Sequence, residues 1–219
     1  MTKKYDIALA WNQRVGLKNA HIEWGEEKGW LFGWYTSVST GMNYKNKKIV
    51  DYGIGGGLFY EWLTTNYPIK SYVGYDIAPR ALEAFKKKAE ALEFKNYKTI
   101  LIKPYEIPDL NPDKDADILF AIAVLQHAPD QDYYDYLLSK FNDSKIKQLV
   151  ISFKYAEKIT FRDTPYKTTH DIAHSCYTNV EDIQKCLTNY KLNAKFNNTN
   201  AFVCFNLKAV KKIEEESQV

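Results

Sequence analysis

The sequence predicts an α/β fold in which a mostly parallel sheet carries helices on both faces. Three observations predict it. From residue 48 onward, short apolar runs alternate with stretches of helical spacing. The first two runs each reach an acidic residue, Asp51 and Asp76. Behind the first acid, glycines fall at alternate positions, Gly53, Gly55 and Gly57. Strands that alternate with helices pair in parallel, because each crossover helix returns the chain to the same end of the sheet.

Residues 1–47 read as an N-terminal appendage of helices and turns, rich in aromatics. Trp11, Trp24, Trp30 and Trp34 all fall there. A strand over 48–54 leads to a helix over 56–66, and a strand over 71–77 leads to a helix over 79–93. In the second helix Ala81, Leu82, Phe85, Ala89 and Leu92 recur at helical spacing. A strand over 97–103 runs into a loop broken by Pro104, Pro108 and Pro112. A strand over 117–124 leads to a helix over 131–141, and a strand over 147–155 follows. Residues 156–176 read as a polar loop with room for a short helix. A helix over 179–189 starts at Thr178 or Asn179 as N-cap, with Glu181 and Asp182 in its first turn. Strands over 191–198 and 201–209 flank Asn197-Asn198-Thr199-Asn200, a hairpin signal. Residues 211–219 form a charged tail, so the principal domain spans 48–210.

Composition narrows the function. The 219 residues suit one domain, or one with a small appendage. No apolar run reaches the roughly 18 residues that span a bilayer, and the N-terminal apolar stretch Ile7–Trp11 is too short for a secretory core. Cys176, Cys186 and Cys204 are too widely spaced for a paired disulfide framework or a zinc site. These features fit a cytoplasmic protein with reduced thiols and no membrane partner. Net charge is only +3, from 30 basic and 27 acidic residues, and arginine occurs only at Arg14, Arg80 and Arg162. Bidentate contacts to phosphate and guanine favour arginine, so the balance speaks against nucleic acid as partner.

The segment Asp51-Tyr52-Gly53-Ile54-Gly55-Gly56-Gly57 is the strongest motif. Glycine suits a strand-to-helix turn that must bend sharply and let a ligand approach bare backbone. The dinucleotide fingerprint G-x-G-x-x-G/A is not met, because the sixth position from Gly53 is Leu58. No phosphate-binding P-loop is present either. Asp76 follows Gly57 by 19 residues, at the tip of the second strand, where a carboxylate accepts hydrogen bonds from ribose hydroxyls. It could equally cap the helix that Pro79 and Arg80 begin.

Together with the apolar run Asp117–Val124 into Leu125-Gln126-His127-Ala128-Pro129-Asp130, and the run Lys147–Tyr155, these motifs resemble class I S-adenosylmethionine (SAM)-dependent methyltransferases. The resemblance covers residues 48–155 well and 175–210 loosely. It implies a Rossmann-like, doubly wound sheet of seven strands in the order 3-2-1-4-5-7-6, with strand 7 antiparallel. It implies SAM as cofactor and S-adenosylhomocysteine as product. Gly53, Gly55 and Gly57 would line the methionine moiety. Asp51 would orient the turn or receive the ligand ammonium through water, Asp76 and the adjoining Ile77 would hold the ribose, and Ala121 could offer its carbonyl. Many relatives place an acid after strand 3 for the adenine amino group. This chain has Lys103-Pro104-Tyr105-Glu106 there. Tyr105 could flank the adenine and Glu106 take the acidic role, a plain surface loop being the equal alternative.

His127, just past strand 4, is the candidate general base for a hydroxyl acceptor. A packing role is its bland alternative. His170 and His174, with Asp171 between them, stand four apart as on one helix face. They and Tyr155 are candidate substrate contacts, and no metal is expected. No Asp/Asn-Pro-Pro-Tyr/Phe follows strand 4 and no cysteine sits at the strand 4 or 5 tips, which disfavours DNA-base methylation. The expected acceptor is a hydroxyl or amine of a small molecule or sugar. The rivals are a methyltransferase acting on RNA or protein, and a non-catalytic module that binds SAM or an adenine nucleoside.

Overall fold

The computed structural model describes residues 32–33, 35–36, 42–161, 176–196 and 200–208, with the backbone alone described over 194–196 and 200–203. Strands β1 (Lys48–Tyr52), β2 (Ser71–Asp76), β3 (Tyr97–Leu101), β4 (Ile118–Ala121), β5 (Gln148–Lys154), β8 (Tyr190–Phe196) and β9 (Asn200–Leu207) make a seven-stranded sheet. Its order is β3-β2-β1-β4-β5-β9-β8. The first five strands pair in parallel, and β9 runs antiparallel to both β5 and β8. This is the expected order. The final hairpin carries higher numbers because β6 (Thr160–Phe161) and β7 (Cys176–Tyr177) pair as a separate two-stranded sheet. The segment expected as a polar loop with a short helix therefore holds strand β6 near its start and reaches β7 at its end.

Helices α1 (Leu58–Asn66), α2 (Pro79–Ala91), α3 (Gln131–Ser144) and α4 (Val180–Cys186) flank these strands. Three of these starts have a local cause. Pro79 presets φ at the first position of α2. The Asp130 carboxylate accepts from the Tyr133 N–H at 2.8 Å and caps α3. The Asn179 side chain accepts from the Asp182 N–H at 2.8 Å and caps α4.

Two apolar layers cover the sheet. Ile49, Tyr72, Ile118, Phe120 and Val150 pack against α1 and α2 through Phe59, Tyr60, Leu63 and Phe85. Val50, Leu119, Leu149 and Ile151 pack against α3 and α4 through Leu137, Phe141 and Ile183. The central strands are buried on both faces, so their sequences run continuously apolar rather than alternating. Described residues of the appendage join the first layer. Tyr35 meets Phe59 edge-on, and Tyr44 meets Trp62 and Tyr67 edge-on. Among the described residues no helix is long and apolar enough to cross a membrane.

Candidate functional site

Parallel strands deliver their carboxyl ends to one edge of the sheet, and the strand order reverses between β1 and β4. The glycine turn stands at that point. Strand β1 stops at Tyr52, and Gly53, Gly55 and Gly57 take φ values of 80°, 51° and 78°, the left-handed region that side chains disfavour. The Gly53 and Ile54 N–H groups both donate to the Tyr75 carbonyl, at 2.8 and 3.2 Å, which clamps the turn onto β2.

The three glycines do different work. A Cβ on Gly53 would lie 2.6 Å from Val124 Cγ2, and one on Gly57 would lie 2.8 Å from Phe85 Cδ2. A Cβ on Gly55 would meet nothing within 4 Å. Gly53 and Gly57 are therefore small because protein fills the space beside them. Gly55 alone of the three presents bare backbone to open space.

Asp76 ends β2 and is buried. One carboxylate oxygen accepts from the Gly55 N–H and the other from the Ala78 N–H, each at 2.8 Å. The residue thus ties the glycine turn to the segment entering α2, whose N-cap, Ala78, has no side-chain cap. Burial raises its pKa, and hydrogen bonds from the Ala78, Gly55 and Ile77 backbone oppose the rise. A carboxylate has about four acceptor sites, so these backbone bonds leave capacity for a further donor. Ile77, half-buried, follows directly.

Asp51 lies under the turn at 3% exposure and accepts a hydrogen bond from the Tyr72 hydroxyl. Burial raises its pKa to about 7, the Tyr72 bond opposes this, and the nearby Asp76 charge adds to the rise. Tyr72, itself fully buried, packs edge-on to Tyr60 and stacks on Phe85.

Beyond β4 the chain takes an abrupt turn. Ala121 is buried, and Ala123 adopts φ 56°, uncommon for a residue with a Cβ. The Ala123 N–H donates to the buried Ser152 Oγ of β5 at 2.6 Å. The strand expected to reach residue 124 ends at Ala121 for this reason. A 3₁₀ turn over Leu125–His127 follows, leaving His127 half-buried with its Nε2 3.3 Å from Gln126 Nε2.

On the β3 side, Tyr105 is 42% exposed and meets Tyr133 edge-on at 5.1 Å between centroids. The Tyr136 hydroxyl donates to the Tyr105 carbonyl at 2.9 Å and accepts from the Ile107 N–H at 2.9 Å, which fixes this loop on α3. Lys103 and Glu106 form an exposed ion pair at 3.0 Å, so Glu106 is engaged at the surface here. Tyr155 is exposed at the end of β5, paired with Thr178 through an isolated parallel bridge. His170, Asp171 and His174 lie outside the described residues. The described residues include no cluster of His, Cys, Asp and Glu able to hold a metal.

Sequence reasoning passed over Tyr72, Val124 and Ser152. Each is an ordinary strand or loop residue by pattern, and only its position beside Asp51, Gly53 or Ala123 gives it a role. A tyrosine hydroxyl within an otherwise apolar strand was the one available signal, since a buried hydroxyl calls for a partner.

A family model described as a methyltransferase domain matches residues 50–142. The trans-aconitate 2-methyltransferase of Methylobacterium nodulans (strain LMG 21967 / CNCM I-2342 / ORS 2060) is 32% identical over 82 residues, covering 37% of this chain and 29% of that protein. The chain thus spans about three tenths of that curated relative's length. Among solved structures, the pyocyanin biosynthetic protein PhzM superposes with a TM-score of 0.65 at 12% identity, over 90% of this chain and 61% of that one. The N-methyltransferase NodS of Bradyrhizobium japonicum WM9, in complex with S-adenosylhomocysteine, gives a TM-score of 0.65 at 11% identity, over 94% and 100%. Magnesium protoporphyrin IX methyltransferase from Synechocystis PCC 6803, with bound SAM, gives 0.57 at 15% identity, over 91% and 90%. At these identities the superpositions establish the fold. With its sheet order and glycine turn, the chain is similar in fold to SAM-dependent methyltransferases and, over residues 50–142, to a methyltransferase domain.

Proposed function

We propose that the chain is an enzyme that binds SAM at the carboxyl ends of β1, β2 and β4 and methylates a hydroxyl or amine of a small molecule or sugar. One observation carries the reading. The open backbone of Gly55 and the Asp76 carboxylate are joined by a 2.8 Å hydrogen bond, so the site for the methionine chain and the site for the ribose are built as one unit. The PhzM and NodS likenesses support a small acceptor. In this reading residues 48–210 form the catalytic domain and residues 1–47 supply part of its cover.

When bound, SAM supplies an electrophilic methyl group on a sulfonium. Asp76 and Ile77 hold the ribose end, and Gly55 and the Ala121 carbonyl meet the amino-acid end. Tyr105, propped on Tyr133, flanks the adenine. The protein's contribution is alignment in a water-poor site, which lowers the barrier by fixing the approach of the acceptor. His127, held on the turn after β4, takes the proton of an acceptor hydroxyl. Tyr155 stands on the acceptor side.

Calorimetric titration with SAM and S-adenosylhomocysteine, beside NAD and ATP, tests the cofactor. Binding of the two sulfur nucleosides alone supports the reading, and binding of neither rejects it. An acceptor screen read by S-adenosylhomocysteine formation follows. Trans-aconitate belongs in that panel because a relative is named for it, and turnover of it would replace the hydroxyl or amine with a carboxylate.

A further inference from the structure

Beneath the glycine turn lies a buried group that the transfer chemistry itself does not use. Asp51 and Tyr72 face the layer occupied by α1 and α2, and the hydroxyl of Tyr72 is the hydrogen-bond donor to the carboxyl of Asp51. In register, Asp51 pairs with Gly74 and Ile49 with Tyr72. Tyr72 therefore reaches Asp51 diagonally along one face of the sheet, while the Ile54 side chain fills the space beside Gly74. The titratable and charged neighbours of Asp51 are Tyr72 on β2, Asp76 at the end of β2 and Tyr35 from the N-terminal side, with Tyr60 of α1 behind Tyr72. No lysine or arginine among the described residues forms an ion pair with Asp51. A buried carboxyl whose neighbours are hydroxyls and another acid is poorly stabilised as an anion until a cation arrives.

We propose that Tyr72 is a positioning residue that holds the Asp51 carboxyl toward the subsite for the cofactor's ammonium, and that docking this cation drives a proton from Asp51 to solvent. This inference rests on the SAM-binding reading above. Its balance is simple. The carboxyl loses one proton to the buffer, and the resulting carboxylate pairs with the ligand's positive charge. Cofactor binding is then linked to pH. The free carboxyl titrates at about 7, and a paired carboxylate titrates well below that. Linkage between those two states makes binding about fivefold weaker at pH 6 than at pH 7, with release of about half a proton per ligand at pH 7.

The test is calorimetric titration of the full chain with SAM from pH 5.5 to 7, in pairs of buffers with different ionisation enthalpies. The ligand's own amino group titrates near 7.7–8.0, as α-amino groups do, so Asp51→Asn serves as the baseline. The wild type is expected to release protons and to tighten with rising pH, and Asp51→Asn to bind with neither effect. Tyr72→Phe keeps the ring that packs on Tyr60 and Phe85 and removes only the donor. Its affinity curve is expected to move to higher pH and to approach wild type above the shifted midpoint. Circular dichroism confirms that both variants fold. If the wild type binds SAM with no proton release beyond that of Asp51→Asn, the inference fails while the cofactor reading stands. If Tyr72→Phe weakens binding equally at every pH, Tyr72 is a packing residue and its positioning role is overturned. If the wild type binds no SAM, the cofactor reading and this inference fall together.

Discussion

Replacing each glycine of the turn by alanine separates the packing glycines from the one proposed to face the ligand. An alanine forced into the left-handed region costs roughly 1–2 kcal/mol at any of the three positions. At Gly53 the new methyl lies 2.6 Å from Val124 Cγ2, and at Gly57 it lies 2.8 Å from Phe85 Cδ2, on a ring with no exposure. Such overpacking adds about 1–3 kcal/mol. Gly53→Ala and Gly57→Ala are therefore expected to lose roughly 2–5 kcal/mol of stability. Gly55→Ala meets no atom within 4 Å and carries only the backbone strain, a loss of roughly 1–2 kcal/mol. Its effect falls on binding, because the methyl enters the space the cofactor backbone would occupy. A tenfold loss of affinity corresponds to about 1.4 kcal/mol, and Gly55→Ala is expected to lose at least that much while remaining folded. Urea unfolding gives the stabilities and calorimetry with SAM gives the affinities. Gly55→Ala that binds like wild type, or that unfolds as easily as Gly53→Ala, refutes the division of labour.

Other substitutions probe the rest of the site. Asp76→Ala removes the acceptor for the Gly55 and Ala78 N–H groups as well as the proposed ribose contact, so SAM affinity should fall by ~1.5–3 kcal/mol; undiminished calorimetric affinity would remove Asp76 from the cofactor site. Asp51 is protonated up to about pH 7 in the folded chain but only to about 3.9 when unfolded. The folded state therefore binds the extra proton, and this contribution to stability is lost as pH rises between those values, by on the order of 4 kcal/mol in total. Asp51→Asn lacks that loss, so its stability relative to wild type should climb between pH 4 and pH 8 in urea titrations; a constant difference would show that Asp51 ionises freely. His127→Ala should retain SAM affinity and lose turnover with a hydroxyl acceptor by about 10²–10⁴-fold, whereas unaltered turnover would return His127 to a packing role.

Local chemistry was enough to read much of the architecture. β-branched runs, the proline that opens α2 and the Asn179 cap each act within a few residues, so element types and most boundaries follow from the chain alone. The glycine turn and the spaced acids were legible for the same reason, since φ above zero and a strand-tip carboxylate are demands on single residues. Tertiary contact decided which glycine keeps open space beside its backbone. Gly53, Gly55 and Gly57 are equivalent in the motif, and they part only when Val124 and Phe85 arrive from elsewhere in the chain. It also shortened β4, because the Ser152 hydroxyl on β5 draws the Ala123 N–H out of the ladder. Above all it made Asp51 a buried carboxyl held by Tyr72 rather than a solvated one. Residues 51 and 72 come together only when β1 and β2 pair in register, and a group's ionisation depends on what surrounds it in space.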